Sequence, residues 1–253
     1  MPNQTKTASR RQEIRAKRRK KEQQQRLFIL IGIVGAVLIL ILVIGIPYYR
    51  QANAPVDEFV RITPQSRPSE DGTSLGDPNA KVKVEVFEDF RCSGCMSYSQ
   101  RIEPLIIQDY VQNGKVVYIF RQYPFLDDKT TSKDSDRAAM GSMCAAEQNR
   151  FWDFHDLLYA NLTSESAQYS NKKLVAFAKS LELDTTAFSA CLEENRFQNL
   201  IDEDLALGQE RNVNATPTIF VNGQEVKSEV TNQIPSYDQI KAAIEAALAS
   251  SGN

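Results

Sequence analysis

The chain has 253 residues, of which 42% are hydrophobic and 25% charged, and this composition excludes a disordered, collagen-like or disulfide-dense protein. The net charge is −2, but the charged residues are unevenly distributed along the chain. Residues 1–26 carry ten Lys or Arg and two Glu, whereas the rest of the chain carries twenty basic and thirty acidic residues. Phosphate contacts need clustered cations, so the acidic body is not expected to bind nucleic acid.

An apolar stretch follows the basic arm and predicts a membrane anchor over residues 27–47. Residues 27–46 carry no charge, and about twenty residues at 1.5 Å rise match a hydrocarbon core of about 30 Å. A cleaved signal peptide is the alternative, since Ala52-Asn53-Ala54 has the small-x-small pattern of a cleavage site. The apolar stretch exceeds the roughly 7–15 residues usual in such peptides, so an uncleaved anchor is the preferred interpretation.

The basic arm determines the expected orientation of the anchor. The positive-inside rule places residues 1–26 in the cytoplasm and the body on the opposite side of the cell membrane. The expected topology is therefore that of a single-pass membrane protein. An RNA-binding tail is the alternative interpretation of the arm, but the adjacent span makes topology the simpler explanation. An extracytoplasmic body can keep disulfides. Its cysteines allow three pairings; they are Cys92, Cys95, Cys144 and Cys191.

The body begins with a proline-rich segment and a predicted βαβ unit. Four prolines and little periodicity predict a linker over residues 48–78. Alternation over 81–87 predicts a strand, and residues 96–111 predict a helix that breaks at Pro104. Residues 115–121 predict the next strand, so the two strands are expected to pair in parallel.

A block of helices and a hairpin complete the body. The pattern is helical from about 133 to 211, and the candidate helices are 137–159, 172–181, 185–194 and 197–211. Asp184 is the candidate N-cap of the third of these helices. Asn222-Gly223 predicts a hairpin, and Ser236 with Gln239 predicts a capping box before the last helix. The order βαβ, helices, ββα describes an α/β protein. It predicts a thioredoxin fold over residues 79–249 with an inserted helical domain at about 133–211.

A Cys-x-x-Cys motif stands at the predicted strand-to-helix turn. Free backbone N–H groups and the helix dipole stabilise a thiolate at Cys92, and the thiolate is the reactive form in disulfide exchange. Cys95 lies one turn on, where it can resolve a mixed disulfide. A zinc site or a purely structural Cys92–Cys95 disulfide is the alternative. Zinc needs two further ligands and the chain has no second such motif, so no metal is expected.

A second signal is Thr216-Pro217, because proline is permitted where a strand opens. A cis Thr216–Pro217 bond would turn the chain sharply beside the Cys92 helix. The lone histidine, His155, is interpreted as a packing residue between helices, because aromatic residues surround it in the sequence.

Residues 76–95, 144–159 and 214–223 together resemble the membrane-anchored DsbA-like thiol–disulfide oxidoreductases. The resemblance implies that Cys92 is the nucleophile, Cys95 the resolving thiol, and Pro217, preceded by Thr216, part of the substrate groove. It also implies thiol-containing client proteins and a quinone-linked membrane partner that restores the active disulfide. No cofactor is expected.

Two positions depart from the family pattern. Ser93-Gly94 stands between the cysteines, where the best-known member has Pro-His. Val86 stands six residues before Cys92, where many relatives carry an acid that takes the proton of the resolving thiol. Glu85 is near, but strand alternation points it to the opposite face. Glu88 is also near, and the usual proton acceptor is left undefined.

With Cys92 and Cys95 paired, the compartment favours a structural Cys144–Cys191 disulfide, and two buried free thiols are the alternative. The predicted function is an oxidase of extracytoplasmic proteins. A reductase or isomerase using the same cysteines is the first alternative, and a non-catalytic membrane-tethered scaffold is the second.

Overall fold

The computed structural model describes residues 26, 30, 32–46, 56, 58–129, 133–164, 168–231 and 233–251. It divides into two compact units, Met1–Pro55 and Val56–Asn253, and each is described by itself.

In the first unit, residues 32–40 are α-helical and Ile41–Gly45 continue as a π-helix. Its apolar side chains are largely exposed, for example Ile39 and Val43. Among the described residues, no helix combines the length and the apolarity needed to cross a bilayer. Much of the predicted arm and part of the predicted span, residues 1–25, 27–29, 31 and 47, lie outside the described residues.

The second unit is built on a mixed sheet of five strands in the described part of the chain. The strands are β1 (Ser74–Leu75), β2 (Val82–Glu88), β3 (Val116–Gln122), β4 (Thr218–Val221) and β5 (Gln224–Glu225). Their order is β1-β3-β2-β4-β5. β2 and β3 pair in parallel, which confirms the predicted βαβ unit, and the other pairs are antiparallel.

The helices of this unit cover the sheet and form the block inserted between β3 and β4. They are α1 (Ser93–Arg101), α2 (Glu103–Ile106, continued by a π-helix over Ile107–Val111), α3 (Asp134–Ala146), α4 (Phe151–Ala160), α5 (Asn171–Ser180), α6 (Thr185–Glu194), α7 (Gln198–Glu210) and α8 (Tyr237–Ser250). The α/β thioredoxin fold with helices α3 to α7 inserted therefore agrees with the prediction.

The N-terminal caps that the sequence predicts for two helices are confirmed. The Asp184 side chain accepts hydrogen bonds from the N–H groups of Thr186 and Ala187 at the start of α6. Ser236 and Gln239 form the capping box of α8. Each cap satisfies N–H groups that have no partner within the helix.

One predicted helix was wrong and two short elements were missed. Residues 137–159 form two helices, because the chain turns between Ala146 and Phe151 with Asn149 in the left-handed region at φ 57°. The missed elements are β1 and a 3₁₀ helix over Phe125–Lys129. β1 has only two residues, and its pairing with β3 rather than any pattern of its own makes it a strand.

The described part of the predicted linker is docked on the unit. We call residues 58–70 the strap. The Phe59 ring lies 4.8 Å from that of Phe177, and Val60 exchanges hydrogen bonds of 2.8 and 2.9 Å with the Asn161 side chain. The compact unit thus begins well before residue 79, where the sequence placed the start of the domain.

Candidate active site

The first turn of α1 carries the two cysteines of the motif. Cys92 is the N-cap residue, with extended backbone angles of φ −88° and ψ 117°. Its side chain is partly exposed, whereas Cys95, one turn further, is fully buried. Both are free thiols in this structure, which therefore describes the reduced site.

The surroundings of Cys92 favour its thiolate. The hydrogen bond from the Cys95 thiol is the largest influence on the pKa of Cys92. Together with contacts from Thr216 and from the backbone N–H groups of Cys95 and Gly94, it lowers this pKa to about 6 against the opposing effect of burial. Cys92 is thus largely ionised at neutral pH, as an exchange nucleophile requires.

The surroundings of Cys95 act in the opposite direction. Burial raises the pKa of Cys95 well above its ordinary value, and its hydrogen bond to Cys92 and the charge of Glu88 raise it further. One thiol is therefore ready to react and the other holds its proton.

The loop before β4 lies directly against the cysteines. The Thr216–Pro217 peptide bond is cis, and the Cys92 sulfur lies 3.2 Å from the carbonyl oxygen of Thr216. A Cβ atom at Gly94 would lie 3.4 Å from the Cys92 sulfur, from Pro217 Cδ and from the Thr216 carbonyl oxygen. The structure thus brings together Cys92, Cys95, Thr216 and Pro217.

The other two cysteines join two helices of the inserted block. Cys144 of α3 and Cys191 of α6 form a disulfide whose Cα atoms are 5.8 Å apart. Both residues are fully buried.

Sequence reasoning left Glu88 without a role, and the structure places it in the site. Glu88 is fully buried at the end of β2. Its Oε2 accepts a hydrogen bond of 3.0 Å from the Tyr159 hydroxyl, and its Oε1 has no hydrogen-bond partner among the described residues. Burial and the charge of Glu103 raise the pKa of Glu88 well above its ordinary range. The signal was available, since Glu88 and Val86 share a strand face.

Glu85 lies apart from the cysteines. Its carboxylate forms ion pairs of 2.6 Å with Arg121 and 3.0 Å with Arg211. Burial opposes ionisation, but these arginines lower the pKa of Glu85 below its ordinary value. Glu85 is therefore a charged structural partner and not the missing proton acceptor.

Asp89 shapes the turn that leads into the motif. Its carboxylate accepts hydrogen bonds from the backbone N–H groups of Arg91, at 2.7 Å, and Leu126, at 3.0 Å. Burial raises the pKa of Asp89 to about 6 against these hydrogen bonds.

Behind the cysteines, Glu88 meets two further buried groups, Glu103 and His155. One ligand-type atom from each lies within 4.8 Å of the others, a spacing that suits a cation and also suits groups that exchange protons. The Tyr118 hydroxyl donates to Glu103 Oε2 at 3.2 Å, and His155 Nε2 lies 3.8 Å from the same oxygen. Aromatic rings pack around His155, as predicted, including Trp152 at 5.2 Å and Tyr159 at 4.9 Å.

A sequence-family model described as thioredoxin matches residues 68–246 of the chain. The chain belongs to this family. Among curated proteins, a probable disulfide bond formation protein D of Bacillus anthracis is 28% identical over 227 residues, which cover 86% of this chain and 95% of the relative. Disulfide bond formation protein D of Bacillus subtilis is 30% identical over 178 residues, covering 69% and 76%.

Solved structures agree with this membership. The oxidised form of BdbD from Bacillus subtilis superposes with a TM-score of 0.61 at 28% identity, covering 76% of this chain and all of that one. DsbA from Chlamydia trachomatis shares the fold, with a TM-score of 0.58 at 20% identity over 76% of this chain and 96% of that one. The resemblance to DsbA-like thioredoxin-fold oxidoreductases is confirmed.

Proposed function

We propose that this protein is a thiol–disulfide oxidoreductase that introduces disulfides into extracytoplasmic client proteins through Cys92 and Cys95. The observation that carries the proposal is the contrast between the two thiols. Cys92 is partly exposed with a lowered pKa, and Cys95 is buried with a raised one. The oxidising direction is supported by relatives named disulfide bond formation proteins.

In the oxidising reaction, a client thiolate attacks the sulfur of Cys92 in the Cys92–Cys95 disulfide. That disulfide breaks, and its electron pair goes to Cys95, which takes up a proton. A second client thiolate then attacks the client sulfur of the mixed disulfide. Cys92 departs as a thiolate, and the low pKa of this thiol makes it a good leaving group.

The loop at Thr216 and Pro217 forms one wall of the client groove in this proposal. The support is its contact with the reactive sulfur, 3.2 Å from the Thr216 carbonyl oxygen. A client segment lying along this loop would present its sulfur to Cys92 and leave Cys95 covered.

The membrane arrangement is part of the same proposal. Residues 1–26 form a cytoplasmic arm, 27–47 a single-pass anchor and 48–57 a spacer to the strap, so that the catalytic domain faces away from the cytoplasm. The support is the uncharged stretch and the charge asymmetry around it. A quinone-linked membrane protein would then reoxidise the two cysteines, and the Cys144–Cys191 disulfide would brace the inserted helices.

The redox state of Cys92 and Cys95 in cells tests the direction of exchange. Cells are quenched with acid, and free thiols are alkylated with a reagent that changes the electrophoretic mobility of the full chain. A mostly oxidised pair supports the oxidase, whereas a mostly reduced pair indicates a reductase or isomerase.

An exchange assay separates the enzyme from a scaffold. The oxidised full chain is mixed with a reduced peptide that contains two thiols, and disulfide formation in the peptide is measured by mass. Wild-type protein should oxidise the peptide stoichiometrically and Cys92→Ser should not. Ser93→Ala is the matched control, since it retains both cysteines. A wild-type chain that neither oxidises the reduced peptide nor, in its reduced form, reduces the oxidised peptide would identify a scaffold.

A further inference from the structure

Three buried side chains of the kind that bind metal ions meet inside the unit. Glu88 belongs to β2, Glu103 to α2 and His155 to α4, and all three are almost fully buried. One ligand-type atom from each lies within 4.8 Å of the other two. Carboxylate oxygens and a histidine ring nitrogen are the ligands that proteins offer to zinc and to other divalent transition ions. The fold therefore gathers three candidate ligands from three separate elements.

Two of these side chains present atoms that form no hydrogen bond. Glu88 Oε1 and His155 Nε2 are buried, and neither has a hydrogen-bond partner among the described residues. A buried polar atom without a partner is costly, and such atoms are rare in native folds. One cation in contact with both atoms would satisfy both lone pairs.

The imidazole of His155 is held in the orientation that a metal ligand needs. Its Nδ1 lies 3.0 Å from Oδ1 of Asp156, and Asp156 forms an ion pair of 2.7 Å with Arg67. A carboxylate paired in this way accepts hydrogen bonds, so Nδ1 carries a hydrogen and the lone pair of the neutral ring is on Nε2. A carboxylate that binds the far ring nitrogen is the usual companion of a metal-binding histidine.

The two glutamates are oriented by tyrosine hydroxyls. Tyr159 donates a hydrogen bond of 3.0 Å to Glu88 Oε2, which leaves Oε1 for another partner. Tyr118 donates one of 3.2 Å to Glu103 Oε2. That oxygen lies 3.8 Å from His155 Nε2. Zinc lies about 2.1 Å from such ligands, so a single ion can contact both atoms.

The charges in the cluster favour a divalent cation. Among the described residues, the only basic side chain within 4.0 Å of either carboxyl group is His155, beside Glu103. Arg67 lines the same region but is paired with Asp156. Buried carboxylates require a compensating charge nearby. Two positive charges would make the pair of glutamates neutral.

A cavity gives an ion access to the cluster. It has a volume of about 820 Å³, lies beside the strap, and is lined by Glu103, Asp156 and Tyr159 among other residues. Zinc is almost always bound by four ligands in structural sites, and water completes the set where the protein supplies three. Water from this cavity can reach Glu103 and so provide the remaining ligand.

We propose that Glu88, Glu103 and His155 bind one zinc ion, with Asp156 as the positioning residue that holds the imidazole. The site uses neither Cys92 nor Cys95. A ligand set of two carboxylates and one imidazole suits zinc, whereas magnesium and calcium prefer six or more oxygen ligands. The bound ion connects β2, α2 and α4 and therefore stabilises the fold independently of the exchange reaction.

A zinc titration of the full chain tests the site. The chain is prepared without a histidine tag, oxidised so that Cys92 and Cys95 offer no free thiol, stripped with EDTA and titrated with Zn²⁺ against a chromophoric chelator. Wild type should bind about one equivalent. Asp156→Asn should bind roughly 10–100-fold more weakly, as is usual when a residue that orients a ligand is lost. Glu103→Gln and His155→Gln remove a ligand itself and should lose more than about 100-fold.

The matched control is Glu85→Gln. It removes another buried carboxylate of β2, whose partners are Arg121 and Arg211, and it should bind zinc as wild type does. Absence of binding by oxidised wild type would overturn the proposal. Unchanged binding by Glu103→Gln and His155→Gln would also overturn it, as would binding by the reduced chain alone, which would assign the ion to Cys92 and Cys95.

Two further measurements apply even where a variant fails to fold. The chain has a single histidine, so zinc-edge X-ray absorption of the oxidised wild type should show one imidazole with oxygen ligands and no sulfur. A sulfur shell or the absence of imidazole would overturn the site. Zinc should also raise the thermal unfolding midpoint of wild type and of Glu85→Gln, because it binds the folded state. Glu103→Gln should show no such rise, and an equal rise would contradict the ligand assignment.

Discussion

The sulfur of Cys92 lies 3.2 Å from the carbonyl oxygen of Thr216, so the reactive atom faces the loop before β4. These residues are 124 positions apart in the chain, and the contact depends on the pairing of β2 with β4. Cys95, three residues after Cys92 in the first turn of α1, is fully buried. This placement gives the two thiols different roles, which can be measured.

The first prediction concerns those roles. Cys95→Ala should accumulate mixed disulfides with client proteins in cells, because the buried thiol that resolves them is gone. Cys92→Ala should accumulate none, because the thiol that reacts first is gone. Non-reducing electrophoresis with antibody detection of the full chain measures both. Equal trapping by the two variants would contradict the assignment.

The second prediction is the pH dependence of the reduction potential. Below about pH 6, reduction of the disulfide binds two protons, and the potential should fall by about 59 mV per pH unit. Above the Cys92 pKa of about 6, reduction binds one proton and leaves a thiolate, so the slope should halve to about 30 mV per pH unit. Potentials measured against glutathione from pH 5 to pH 8.5 show the break, and an unbroken steep slope would show that Cys92 keeps its proton.

The third prediction concerns the residues between the cysteines. Ser93 and Gly94 provide backbone N–H groups but no basic side chain, so the thiolate should be less stabilised than in the strongest oxidants. We expect a potential between about −270 and −120 mV. A side chain at Gly94 would begin 3.4 Å from the Cys92 sulfur. Ser93→Pro with Gly94→His should therefore raise the potential, because the imidazole can interact with the thiolate.

Equilibration against glutathione followed by alkylation measures this potential in wild type and variant. A wild-type value at or above −120 mV would show that a group outside the dipeptide stabilises the thiolate. An unchanged potential in the double variant would reject the same argument from the opposite side.

The fourth prediction concerns the disulfide of the inserted block. It closes a loop of 47 residues between Cys144 and Cys191. Loop-closure entropy assigns such a cross-link a stabilisation of at most about 4 kcal/mol. The double variant Cys144→Ala, Cys191→Ala should unfold at lower denaturant while peptide oxidation persists under native conditions. Unfolding that is unchanged would show that packing alone holds α3 to α6.

The fifth prediction is the topology. A membrane-impermeant thiol reagent should label Cys92 on reduced intact cells or protoplasts, because the domain is proposed to face away from the cytoplasm. The control is a variant that carries Ser9→Cys, in the basic arm, together with Cys92→Ser. This variant should be labelled only after lysis. Labelling of wild type only after lysis would contradict the orientation.

The sequence by itself determined the features that depend on neighbours in the chain. The thiolate site is local, because Cys92 occupies the N-cap of α1 and the N–H groups that favour ionisation come from the next residues. The caps at Asp184 and Ser236 are equally local, and both were predicted. Strand alternation also placed Glu85 away from the cysteines.

Only the tertiary structure decided which buried charges meet. Glu88 acquires its raised pKa from burial and from Glu103, which follows it by fifteen residues and belongs to another element. The strap reads as a linker in sequence, yet Arg67 forms hydrogen bonds of 2.8 and 2.7 Å with Asp156, 89 residues away. The physical reason is that a buried ionisable group is governed by desolvation and by the partners that folding brings to it, and neither quantity is encoded in the residues beside it.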